Sequence, residues 1–105
     1  MDKPSDVELA WCAGFVDGEA SVDVFRGFIH IQQNQVEPLR KLQSILGGRI
    51  NGPYTRTRRI IESGSPFWYW RLGMSAGSLV VASWLTPFAV NKREKLVALA
   101  ERGRA

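Results

Sequence analysis

The side chains that build most zinc and thiol-based sites are nearly missing from this chain, which has one cysteine, Cys12, and one histidine, His30. A single cysteine cannot close an internal disulfide, and one of each residue cannot supply a Cys/His cluster with zinc-ligand spacing. Long apolar runs are absent as well: the most apolar stretch, Leu79 to Leu85, falls far short of the ~20 residues that span a bilayer. No transmembrane segment is expected. Met1-Asp2-Lys3-Pro4 lacks the basic, then apolar profile of a signal peptide. With the lone cysteine this predicts an intracellular protein, cytoplasmic or, in a eukaryotic host, organellar. Sequence repeats, low-complexity tracts and long linkers are missing too, and 105 residues fit one domain, residues 1–105.

The composition present is that of a globular protein, with 45% hydrophobic residues, ten glycines and five prolines. Its charge is segregated. Residues 1–23 carry six acids against Lys3, net −5, whereas residues 24–105 carry thirteen bases against four acids, net +9. A basic surface with one acidic spot suits a polyanion partner together with a cation site, because carboxylates facing phosphate repel it unless a metal intervenes. Solvated surface charge is the other reading of the same numbers.

Ser5 and Glu8 have capping-box spacing and, after Pro4, predict a helix to about Asp17, with Val7, Ala10, Trp11, Gly14 and Phe15 as contact positions. From Ala20 to Gln33 the period becomes two, Val22, Val24, Ile29 and Ile31 sharing a face around a turn at Gly27. Leu39, Leu42, Ile45 and Leu46 then return to helical spacing, giving a helix over 36–46 stopped by Gly47-Gly48. A second strand pair is expected over Arg49–Arg59 and Phe67–Gly73, bent at Gly52-Pro53 and joined through Ser63-Gly64-Ser65-Pro66. A short helix over 76–86 ends at Pro87, and Asn91 with Glu94 suggests a cap for a last helix to about Arg102. The order helix, two strands, helix, two strands, helices predicts an α+β fold, an antiparallel sheet with helices on one face.

The stretch from Ala10 to Val22 breaks local rules in two places. Ala10, Gly14 and Gly18 recur every four residues, a smooth face open to close backbone approach, although an interior helical glycine costs about 1 kcal/mol relative to alanine. Asp17 and Glu19 fall where the helix ends, beside carbonyls that repel carboxylates by roughly 0.3–1 kcal/mol each. Such violations mark either a functional site or a solvated helix end stopped at Gly18.

Cys12-Ala13-Gly14-Phe15-Val16-Asp17-Gly18-Glu19-Ala20 resembles the motif helix of the LAGLIDADG homing endonucleases, close to their variant ending Phe-Val-Asp-Gly-Asp/Glu. The family's element order matches the one above over nearly the whole chain. Gln33, six residues before Leu39, and Lys92, after Pro87-Phe88-Ala89-Val90-Asn91, resemble two further family positions. Ala20 stands where the family has Gly, and Cys12 where it has Leu.

The resemblance implies a site-specific double-strand DNA endonuclease, encoded by a mobile element, that hydrolyses phosphodiesters in a long near-palindromic target as a homodimer. Glu19 would hold the divalent metal, Gln33 position water and Lys92 polarise the phosphate or water. A hard cation completing its shell with water and phosphate points to Mg2+. Helices of two copies would pack through Ala10, Ala13, Gly14, Asp17 and Gly18. Strand parity sets the opposite sheet face toward the DNA major groove. That face carries Ser21, Asp23, Phe25, Phe28, His30 and Gln32 on the first hairpin and Arg49, Asn51, Tyr54, Arg56, Arg58, Tyr69 and Arg71 on the second, with Trp68, Trp70 and Leu72 in the core. The alternative is a non-cleaving nucleic-acid-binding module of the same fold, an RNA-splicing maturase or a DNA-binding regulator.

Overall fold

A computed structural model describes residues 2–55 and 65–102. Its elements are α1 (Asp6–Glu19), β1 (Ser21–Asp23), β2 (Phe28–Gln33), α2 (Glu37–Leu46), β3 (Arg49–Tyr54), β4 (Phe67–Leu72), α3 (Ser78–Leu85) and α4 (Arg93–Glu101). Short 3-10 turns at Met74–Ala76 and Thr86–Phe88 flank α3. The strands form one antiparallel sheet in the order β1-β2-β4-β3, so the fold is α+β. No described helix is long and apolar enough to cross a membrane.

The capping box at the start of α1 is formed: the Glu8 amide donates to Ser5 Oγ at 3.2 Å and the Ser5 amide donates to Glu8 Oε1 at 3.0 Å. This settles two of the amide groups that a helix start leaves without partners. The helix runs two residues beyond the expected end, through Glu19. Its core stripe is Leu9, Cys12, Ala13 and Val16, at spacings of three and four, which corrects the expected contact face. Val7 is 81% exposed, Ala10 and Gly14 are exposed, and Trp11 and Phe15 are half-buried. Apolar or small residues surround this helix, so periodicity alone could not choose between its stripes.

Alternation holds through the sheet. Val22, Ile29, Ile31, Trp70 and Leu72 are buried against the helices, with Val24 and Trp68 partly buried beside them. Each fully buried Leu, Ile or Val contributes on the order of 1.5–3 kcal/mol relative to exposure. Polar ties fix the layers: Trp70 Nε1 donates to the Gly47 carbonyl at 2.8 Å, and buried Ser78 Oγ donates to the Gly27 carbonyl at 2.6 Å. Gly27, at φ +83°, occupies the left-handed region that a turn with no room for a side chain requires.

Two other boundaries differ from expectation. β3 ends at Tyr54, with a register irregularity between Asn51 and Tyr54 where the Gly52–Pro53 bond is cis; the expected continuation to Arg59 lies outside the described residues. The N-cap of α4 is Lys92, without a side-chain cap bond, so the Asn91/Glu94 cap does not form. The amides ahead of α4 are taken instead by Asp17, from the other end of the sequence.

Candidate active site and nucleic-acid-facing groove

The last turn of α1 contains no basic residue, leaving terminal carbonyls and two carboxylates together. The described structure relieves this from outside the helix. Lys92 Nζ donates to the Asp17 carbonyl at 3.1 Å, a cation placed on an otherwise orphaned helix-end acceptor. In return, Asp17 Oδ1 accepts from the Lys92 amide at 3.0 Å and Oδ2 from the Val90 amide at 2.7 Å. Partial desolvation pushes the Asp17 carboxyl upward, but the amides of residues 90–92 and the Lys92 charge outweigh it and hold the acid below its ordinary range.

Glu19, two residues further on, is exposed and accepts a hydrogen bond at Oε1 from Gln33 Nε2 at 2.8 Å. Glu19 ends α1 and Gln33 ends β2, and the sheet packs so that these two ends meet. Three residues singled out in the sequence thus gather at one end of α1: Glu19 and Gln33 in direct contact, and Lys92 bound to the carbonyl of Asp17.

The residues named for the motif-helix interface divide. Ala10, Gly14 and Gly18 are exposed, and a side-chain carbon built on either glycine would meet nothing within 4 Å. Ala13 is fully buried in the core of its own chain, and both carboxylate oxygens of Asp17 bond to the segment before α4. Helical geometry turns Ala13 toward the core because it follows Leu9 by four residues.

The sheet face away from the helices is concave. Its open groove of about 890 Å³ is lined by seven of the sequence-selected positions: His30, Gln32, Arg49, Asn51, Tyr54, Tyr69 and Arg71. Ser21, Asp23, Phe25 and Phe28 border an adjoining groove of about 600 Å³, which His30 and Arg71 share and Lys95 closes. Arg56 and Arg58 lie outside the described residues. Aromatic rings pave this face, with Tyr69 5.5 Å from Tyr54 and 4.9 Å from His30. Burial first, and the neighbouring Arg71 charge second, lower the His30 pKa, so the neutral ring is favoured near pH 7.

Sequence reasoning missed the role of Asp17 as the anchor of residues 90–92, because its partners are 73 and 75 positions away. It also missed Lys95 at the smaller groove and the packing of Arg71 on Phe28. The last pair leaves a trace only in parity, which puts both residues on one face.

Among the described residues no three His, Cys, Asp or Glu side chains cluster as a metal cage. A single carboxylate, Glu19, at this helix end does not make a closed zinc site; it would fit Mg2+, which keeps several waters and takes one or two protein carboxylates plus substrate phosphate. No protein-family model matches the chain, and no curated protein matches it.

Proposed function

We propose that the chain is a site-specific double-strand DNA endonuclease of the LAGLIDADG type, acting as a homodimer with a divalent cation. The observation that carries this proposal is the 2.8 Å hydrogen bond between Gln33 and Glu19 at the exposed end of α1, with Lys92 anchored on the same helix end. An acid, an amide and an amine from three separate segments are gathered at the end of α1, and the sheet carries a basic, aromatic groove. Surface salt networks do not require such convergence. The reading is supported by the element order of helix, two strands, helix, two strands and helices, around one antiparallel sheet.

Each residue has a chemical task. Glu19 holds the cation through its carboxylate, and Gln33, by donating to Oε1, fixes the carboxylate rotamer while its carbonyl oxygen is left to accept from water. Lys92 supplies a positive charge near the scissile phosphate. A divalent cation held by Glu19 would supply activation of water and charge stabilisation of the leaving oxygen. Ala10, Gly14 and Gly18 form the open stripe against which the same helix of a second copy packs, so that two Glu19 sites face two strands.

Glu19→Gln tests the assignment: the amide is a poorer metal ligand but keeps the shape and removes repulsion toward phosphate. Gel-shift and nicking assays with Mg2+ should show retained DNA binding and lost cleavage. Full cleavage by the variant would remove Glu19 from the mechanism, and binding without cleavage by the wild type would favour the non-cleaving module.

A further inference from the structure

Resting on the proposed DNA-binding reading, we infer that Arg71 is a guanine-reading residue of the groove and that Phe28 is its positioning residue. The Arg71 guanidinium carbon lies 4.3 Å over the Phe28 ring. Stacking on an aromatic face fixes the guanidinium plane while leaving its N–H donors free at the edge. No described carboxylate or carbonyl accepts a hydrogen bond from the Arg71 guanidinium, although the residue is exposed to the groove and borders both of its parts.

Its neighbours make this vacancy costly. Arg71 is paired directly across the ladder with His30 on β2 and with Arg49 on β3, and like charges directly opposite are destabilising. Two arginines and a histidine in one cross-strand row, without an acid bonded to any of them, form a receptor for electron-rich acceptors. Asp23, an acid bordering this groove, has Oδ1 occupied by the Arg26 amide.

The position in the sheet separates a base contact from a phosphate contact. Strands lie about 4.8 Å apart, so in the order β1-β2-β4-β3 the two inner strands run about 2.4 Å from the midline and the outer two about 7 Å. The major groove is ~12 Å wide, about 6 Å to each wall. With the strands laid along the groove, Arg71 on inner β4 stands over its middle, where base edges lie, and Arg49 on outer β3 stands nearer a wall. An arginine held edge-on over base edges offers two parallel donors, the match for the O6 and N7 acceptors of guanine.

The test selects bound sequences from a randomised duplex DNA library in EDTA, using the full chain as wild type, Arg71→Lys, Phe28→Leu and the double variant. Wild type should select a symmetric site with guanine at one fixed position in each half. Arg71→Lys, which keeps the charge but loses the planar fork, should weaken that guanine preference about tenfold or more while leaving other positions and the salt slope unchanged. Phe28→Leu should relax the same position several-fold and add nothing in the Arg71→Lys background. Unchanged guanine preference in Arg71→Lys, or a uniform loss at all positions with an altered salt slope, would overturn the assignment while leaving the endonuclease proposal standing. An effect of Phe28→Leu that persists undiminished in the double variant would remove Phe28 as the positioning residue. A wild type that selects no DNA sequence would overturn both proposals.

Discussion

Lys92 donates to Asp17 twice: its amide to the Asp17 carboxylate at 3.0 Å, and its ammonium to the Asp17 carbonyl at 3.1 Å. This clasp joins the end of α1 to the start of α4 and fixes where Lys92 stands relative to Glu19. Asp17→Asn should therefore lose about 1 kcal/mol of stability, the worth of largely solvent-facing hydrogen bonds. It should also slow any cleavage, through displacement of Lys92. The clasp has a pH signature. The folded acid titrates below its unfolded value of about 3.9, so its stabilisation is complete above that value and is lost as pH falls through the lower folded value. Acid titrations of stability, followed by circular dichroism, should be shallower for Asp17→Asn below about pH 4; identical slopes would mean the clasp contributes nothing.

Gly14 and its neighbour Ala13 should respond oppositely to enlargement. Gly14 faces open space and Ala13 the core, so Gly14→Leu should leave the folded monomer at least as stable as wild type while preventing dimerisation. Ala13→Leu should cost about 1–3 kcal/mol through overpacking. Thermal melts with sedimentation of both variants separate these effects. A Gly14→Leu protein that still dimerises and cuts contradicts the open-stripe interface.

Cys12 should be chemically silent in the native state. Burial, reinforced by the Glu8 charge, pushes its thiol up to about 12, so at pH 8 almost no thiolate exists to attack a disulfide reagent. Labelling should be slow in buffer and complete in denaturant. Rapid native labelling would place Cys12 elsewhere than the core.

Ser78→Ala should strip the buried Gly27 carbonyl of its hydroxyl partner at 2.6 Å and cost roughly 1–3 kcal/mol, loosening the β1–β2 turn against α3. Urea melts measure it, and a change below a few tenths would show that another donor replaces the hydroxyl.

Much of this architecture was legible where chemistry is local. Ser5 and Glu8 announce the start of α1 because a capping box needs only four residues, and Val22, Ile29, Ile31, Trp70 and Leu72 give the buried sheet face because parity leaves no alternative. Glu19, Gln33 and Lys92, which the structure brings to one end of α1, were singled out through resemblance to a motif rather than through periodicity. What escaped depends on folding in three dimensions. Asp17 finds amides more than seventy residues away. The core side of α1 is decided by the sheet beneath it, not by the helix, whose faces at Val7 and Leu9 are equally apolar in sequence. The α4 cap expected from Asn91 lost to a carboxylate that only tertiary structure delivers.

Cleavage of a randomised duplex library, with sequencing of the ends produced, tests the central claim most directly. With Mg2+ the wild type should generate paired cuts within one near-palindromic site of roughly 20 bp, two half-sites of about one helical turn each. Chelation or Glu19→Gln should abolish the cuts while the bound sequences persist. Absence of cuts with Mg2+, or cuts that survive Glu19→Gln, would contradict the account.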